Sequence, residues 1–360
     1  MKGWLKDFSG LFYVLGLLII GLINLWSASN TVGITLFTKQ ILWVLIGSAL
    51  GLWCYLTDYK QFEAFAYYLY FGGVVLLGLL YPFGVEIEGA KRWLGFAGFY
   101  IQPSEFAKLS LILALARYFS KRPVQGDLNL SELGLPILMV LLPFCLVAFQ
   151  PDLGTGLVLV GILGIVTLWI GVEKRALLFL GVLTTVGCVG GWFLLKDYQK
   201  QRIISFLDPW RDPLGTGYHL IQSKIAIGSG GLWGKGICLG TQARLGFLPE
   251  YHTDFVFALL GEEWGFAGTV VVILLFLGFL LWAFETAQKA KDPFGRSLAM
   301  GITSLFLLHV IINIGMALGL LPVVGLPLPF FSYGGSCMVV SLVAVGLLLS
   351  IRKRRRFFGT

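Results

Sequence analysis

The sequence predicts an all-α polytopic membrane protein: ten transmembrane helices, with one large loop between spans 7 and 8. Two observations lead there. Hydrophobic residues make up 57% of the 360, and the mean hydropathy is +0.84, which excludes an ordinary soluble domain. Crossing a hydrocarbon core takes about 20 apolar residues in a row, and ten such runs can be marked along the chain. In lipid every backbone polar group needs an internal partner, so these runs are helices. Their irregular lengths do not read as the alternating strands of a barrel.

In chain order, the first three spans are 10–29, 37–57 and 64–83. A glycine-rich polar segment, 84–103, then interrupts the pattern. Span four, 104–119, follows Pro103-Ser104 with Glu105 close behind, and proline plus an acid in the first turn are ordinary helix-start signals. Span five is 133–149. Span six, 153–171, opens after Pro151-Asp152, where Asp152 suits a helix cap. Span seven is 176–195. The loop 196–263 separates it from spans 264–284, 297–320 and 332–351. Between the last two lies 321–334, with three prolines and little charge. No regular repeat or inverted copy is evident, so residues 1–360 read as one membrane domain.

The net charge of +8 sits where membrane topology needs it. With both termini in the cytoplasm, the inside segments hold Lys2, Lys6, Lys60, Arg117, Lys121, Arg122, Lys174, Arg175, Lys289, Lys291, Arg296 and the run Arg352 to Arg356. The short outside segments hold only Lys39, Lys91, Arg92 and Lys108. The positive-inside rule favours this orientation, and the long loop is exempt from it. The C-terminal basic cluster reads as a topology anchor that meets anionic lipid, and no nucleic-acid partner is expected. No cleavable signal peptide is evident. The five cysteines show no disulfide framework and no CxxC metal pair.

Asp254 is the first candidate for chemistry, because it sits just before the chain returns to lipid. Low-dielectric surroundings raise a carboxylate's pKa towards neutrality, which suits a general base. The competing reading is a cap for the eighth span. His252, two residues earlier, reads as a bystander of the polar loop. Glu262 and Glu263 fit the positive end of a helix dipole. Glu105 and Lys108 share a helical face. At the edge of the hydrocarbon such groups face a cavity or a partner, so they are either a structural pair or a site wall. The run Gly228 to Gly236 could cradle an anion with its amides and Lys235, or be a flexible solvated loop. It is not a nucleotide-binding P-loop. A carboxylate, several cations and an apolar border together suggest an anionic, lipid-linked substrate.

Six segments, taken in order on ten spans, carry a resemblance. They are Gly89 to Trp93, Gln102 to Lys108, Gln150 to Thr155, Gly228 through Gln242, Phe247 through Glu263, and Gly325 through Ser336. The chain resembles the SEDS family (shape, elongation, division and sporulation), and its elongation members more than its division members. One departure is Cys337, where serine is usual, which the reading sets apart from the chemistry. The resemblance implies a peptidoglycan glycosyltransferase polymerising lipid II at the outer face of the bacterial cytoplasmic membrane. It implies a class B penicillin-binding protein, a transpeptidase, as partner, and other membrane proteins of the elongation complex. Asp254 matches the family's catalytic aspartate, and Glu105, Lys108, Asp152 and Arg92 match motif positions tied to activity.

The implied chemistry joins an α-linked diphosphate donor into a β-1,4 product, so the anomeric centre inverts in one displacement. That needs a base, Asp254, and positive charge for the departing diphosphate. Arg202, Lys235, Arg244, Lys108 and Arg92 are candidates for that charge, with Mg²⁺ or Mn²⁺ as a candidate counter-ion and no organic cofactor. The rival reading is a lipid II flippase or transporter, which would place polar groups near the bilayer midplane.

Overall fold

The computed structural model describes residues 8–354 except 88–89, 97–98, 122–125, 214 and 216. Lys2, Lys6, Arg122, Arg355 and Arg356, used above for orientation, lie outside the described residues. Ten helices of 18 residues or more are among those described: α1 Ser9–Val32, α2 Ile34–Leu56, α3 Tyr59–Phe83, α4 Pro103–Lys121, α5 Leu130–Phe149, α6 Leu153–Ile170, α7 Lys174–Leu194, α11 Val256–Lys289, α12 Pro293–Leu318 and α13 Gly335–Arg354. The intervening loop adds α8 Asp197–Leu207, α9 Tyr218–Ser229 and the short α10 Thr241–Arg244.

Nine of the ten are long and apolar enough to cross a membrane. The tenth, α4, carries Glu105, Lys108, Arg117 and Lys121, and is not among them. This qualifies the expectation of ten apolar spans. The physical reason is that α4 is enclosed by protein. It packs against α3, α12, α13 and α5, and is buried from Pro103 to Phe119 with few gaps. A helix surrounded by other helices can carry charges that a lipid-facing helix cannot. By contrast α7 leaves Leu178, Val182, Val186 and Val189 exposed along its length, as a lipid-facing helix would.

The glycine-rich segment after α3 forms a small antiparallel sheet. Strand β1 (Val85–Ile87) pairs with β2 (Ala90–Phe96), which pairs with β3 (Phe99–Ile101). This sheet lies on top of α4 and delivers Arg92 towards the α5–α6 corner. There Arg92 Nε donates to Gln150 O at 3.2 Å, and its guanidinium also bonds Pro151 O.

Residues 256–263 are expected in the loop. They are instead the first turns of α11, and the helix is broken at Gly265, whose φ of 65° and ψ of −164° are non-helical. Breaking a helix inside a bundle frees carbonyls on one side and amides on the other, and both need partners. The glycine run supplies them. Lys235 and Gly236 N–H groups donate to Glu262 O and Glu263 O, each at 3.0 Å. Phe266 and Ala267 N–H groups donate to Gly231 O and Leu232 O, at 2.8 and 3.0 Å. The backbones come so close that a Cβ on Gly234 would sit 2.1 Å from Glu263 O. The run thus splices the broken helix, giving it two amides and two carbonyls, while Leu232 and Trp233 at its tip stay exposed.

Candidate active site

A cavity of about 600 Å³ lies at the end of the bundle that carries the sheet and the long loop. Five of the eight residues singled out from the sequence line it: Arg92, Glu105, Asp152, Arg202 and Asp254. They come from five separate stretches of chain, and only folding brings them together. Lys39 and Lys196 add two further cations to the wall, and Glu250 another acid.

Asp254 closes a tight turn. Its N–H and those of Thr253 and Phe255 all donate to Glu250 O, and Glu250 itself holds a positive φ of 49°. Thr253 Oγ1 donates to Glu250 Oε2 at 2.8 Å. The N-cap position of α11 is held by Phe255, one residue past Asp254. The proline-rich segment 321–334 is zipped onto this turn. Tyr333 N–H donates to His252 O at 2.9 Å, and Ser332 Oγ to Thr253 O at 2.6 Å. Gly325, at φ +69°, passes so near that a Cβ there would lie 3.2 Å from Asp254 Oδ2. Only glycine accepts that backbone without strain.

Asp152 keeps its predicted capping role while lining the cavity. Its carboxylate accepts from Thr155 N at 3.2 Å and from Thr155 Oγ1 at 2.9 Å. Glu105 and Lys108 pair at 2.7 Å, as their spacing suggests. Glu105 reaches the cavity, but Lys108 is fully buried behind it. Its ammonium is held between Glu105 Oε1 and His309 Nε2, the latter at 2.9 Å. It does not line the cavity, so Lys108 is not a direct diphosphate ligand there.

Two more of the expected diphosphate ligands lie elsewhere in the fold. Lys235 lies outside the cavity, bonded to the buried carboxylate of Glu262 at 2.6 Å and to Thr241 Oγ1 at 2.8 Å. Arg244 lines a different, smaller cavity of about 260 Å³, with Ser27, Cys238 and Glu263. Glu262 and Glu263 are more than dipole partners. Glu262 gathers the Thr241 and Gln242 N–H groups, and Glu263 accepts from Ser27 Oγ and Cys238 N. They anchor the loop to the broken helix. Cys337, set apart from the chemistry by the sequence reading, is part of the cavity wall.

The surroundings also set the state of the histidines. Burial lowers the pKa of His252, and the nearby Glu250 offsets this only in part. His219 is lowered by burial and by the Arg202 charge. His252 lines the cavity. Among the described residues, no three His, Cys, Asp or Glu side chains converge as metal ligands.

Five of the six segments that carried the family resemblance line this cavity, and the comparisons agree with that resemblance. The family model for FtsW, RodA and SpoVE, described as "Cell cycle protein", matches residues 8–357. The chain belongs to this family. The peptidoglycan glycosyltransferase MrdB of Escherichia coli strain K12 is 39% identical over 351 residues, covering 97% of this chain and 94% of that protein. A chain from a peptidoglycan synthase complex that coordinates polymerization and crosslinking superposes with a TM-score of 0.83 at 34% identity, covering 97% of this chain and 98% of its own. An Asp→Ala mutant of the Thermus thermophilus rod shape determining protein RodA gives a TM-score of 0.72 at 29% identity, covering 97% and 98%.

Within this family fold, His309, Asn313 and Gln40 are supports not among the residues singled out from the sequence. All three are buried polar side chains on long helices. Polar and ionisable groups inside a membrane helix are expensive and call for a reason, and that signal was available in the sequence. Gln40 donates to Ser332 O and accepts from Gly334 N–H, each at 3.2 Å, so it pins the proline-rich segment from the α2 side.

Proposed function

We propose that this peptidoglycan glycosyltransferase polymerises lipid II at the outer face of the bacterial cytoplasmic membrane, with Asp254 as the general base. The observation that carries this reading is the cavity itself. One acidic turn, an α4 carboxylate and the guanidinium groups of Arg92 and Arg202 face a common space at one end of the bundle. The acceptor hydroxyl gives its proton to Asp254 as its oxygen bonds to the donor's anomeric carbon. The bond from that carbon to the diphosphate breaks, and polyprenyl diphosphate leaves with the electron pair. Arg92 and Arg202 are the cations placed to meet the developing negative charge. Attack and departure on opposite faces invert the centre, so no second carboxylate nucleophile is needed.

The donor set is not a dedicated metal cage. A Mg²⁺ or Mn²⁺ accompanying the substrate would rest mainly on diphosphate oxygens, with one or two cavity carboxylates. Both termini are assigned to the cytoplasm, and the cavity to the outside, from the distribution of basic residues. A class B penicillin-binding protein is the natural partner, because a polymerised strand must be crosslinked. The related synthase complex supports that pairing.

The test is polymerisation of purified lipid II by the reconstituted protein, alone and with its transpeptidase. Asp254→Asn should insert and fold normally yet lose roughly 10²–10⁴ in rate, the worth of a positioned general base. Turnover near wild type in that variant removes Asp254 from the chemistry. Lipid II movement across vesicles without polymerisation would favour a transporter instead.

A further inference from the structure

The catalytic turn does not reach the body of the bundle through the helix that follows it alone. It is also held by one side chain of α12. Asn313 is fully buried, and its Nδ2 donates to two carbonyls at once: Asp254 O at 2.9 Å and Leu326 O at 2.7 Å. The opposite amide orientation would set Oδ1 against both carbonyl oxygens, so the donor assignment follows from the contacts. One nitrogen thus joins the turn that carries the carboxylate to the proline-rich segment that passes its Oδ2.

One helical turn earlier, His309 makes a parallel tie. Its Nδ1 bonds Pro327 O at 3.0 Å, which fixes the N–H there and leaves Nε2 to accept from Lys108 at 2.9 Å. Residues four apart share one helix face, so α12 presents a two-point rail. At one point it holds Asp254 and Leu326. At the other it holds Pro327 and, through Lys108, the Glu105 wall.

We infer that Asn313 is a positioning residue for Asp254: it sets where the base stands relative to the Glu105 wall, while touching no substrate itself. The inference rests on Asp254 being the base. Displacements near 1 Å at a reacting group can cost about 10²-fold in rate, which is the scale a lost tie of this kind can reach. Binding of the lipid-linked substrate depends on the cavity cations and apolar walls, which Asn313 does not contribute.

The experiment compares Asn313→Leu, which keeps the branching but has no donor, with Asn313→Ser, which keeps one hydroxyl donor for two carbonyls. Each is made alone and in the Asp254→Asn background, and single-turnover rate, lipid II affinity and thermal stability are read on the same preparations. The expected result for Asn313→Leu is a rate loss of about 10- to 100-fold with lipid II affinity within about twofold, and partial recovery in Asn313→Ser. In the Asp254→Asn background the same changes should cost nothing further, because residues acting through one group are not additive.

An equal fractional loss in both backgrounds, or a loss matched by weakened lipid II binding, overturns the inference and leaves Asn313 as packing only. So does an Asn313→Leu enzyme that turns over within about twofold of wild type while Asp254→Asn is dead. An active Asp254→Asn enzyme instead removes the base reading on which the inference stands. If Asn313→Leu does not fold, Asn313→Ser carries the same comparison with a smaller expected loss.

Discussion

Asp254 and Asp152 each stand near the start of a helix, yet their carboxylates have different uses. Asp152 spends both oxygens on Thr155 as the cap of α6, whereas the N-cap position of α11 falls on Phe255 and Asp254 lines the cavity. The basic residues divide in the same way. Arg92 and Arg202 reach the cavity, and Lys235 is committed to Glu262. Lys235→Met should therefore lower stability by about 1–3 kcal/mol, the cost of stranding a buried acceptor. Lipid II affinity should stay unchanged after correction for folded protein. Arg202→Ala should show the reverse: weakened diphosphate handling with an unchanged melting temperature. A Lys235→Met enzyme that folds normally but fails to bind lipid II would restore it to the site. The Glu105–Lys108 pair gives a further test. Either single neutral substitution leaves a buried charge unpaired and should cost about 3–5 kcal/mol. Glu105→Gln with Lys108→Met should recover stability but not turnover, since Glu105 faces the cavity. A stable and fully active double mutant would reduce the pair to packing. Titration adds a fourth expectation. Because the folded pKa of His252 lies below its ordinary value, an unfolded chain takes up a proton near pH 6.5 that the folded one refuses. Stability should fall as pH drops below about 6.5, and thermal melts of His252→Gln should show a shallower fall.

At the scale of elements, the break in α11 explains the glycine run better than any ligand does. Four backbone hydrogen bonds splice residues 231–236 into the gap at Gly265. Gly234 sits at φ +80° with its missing Cβ facing a carbonyl. Gly234→Ala should lose at least about 1–3 kcal/mol from overpacking, whereas Gly228→Ala, with open space around it, should be neutral or mildly stabilising. Differential scanning fluorimetry on the two variants decides the point, and equal melting temperatures would contradict the splice. The proline-rich segment is a second such element. Gln40, Asn313, His309 and Ser332 hold it from α2, α12 and within, so a stretch with few internal backbone bonds becomes a fixed cavity wall.

At the scale of the whole molecule, the charges are distributed for function as well as for insertion. Basic residues stand in the last turns of α4, α11 and α13, and the cavity lies at the other end of the bundle. Cysteine labels near residue 290 should react only from the cytoplasm, and labels near 210 only from outside, as the positive-inside rule requires. Labelling at 290 from outside would invert the molecule and place the cavity where no outer-leaflet substrate could reach it.

The sequence by itself determined the helical membrane class, the order of the long helices and the main polar segments, because burial in lipid imposes a length and a composition that any reader can count. It also marked Asp254 and Glu105, as charged groups at a lipid border, and reached Asp152, Arg92 and Arg202 through the family resemblance and the chemistry it implies. The tertiary structure alone decided which of the remaining cations face the same space. Lys108, Lys235 and Arg244 have the right chemistry, but their partners come from distant segments, and spacing along a chain carries no record of who those partners are. It also decided that residues 256–263 are helix, that the glycine run mends a break, that Asn313 holds the Asp254 turn and that His309 holds the proline-rich segment. Each depends on a hydrogen bond between residues far apart in sequence, and such a bond exists only once the bundle has closed.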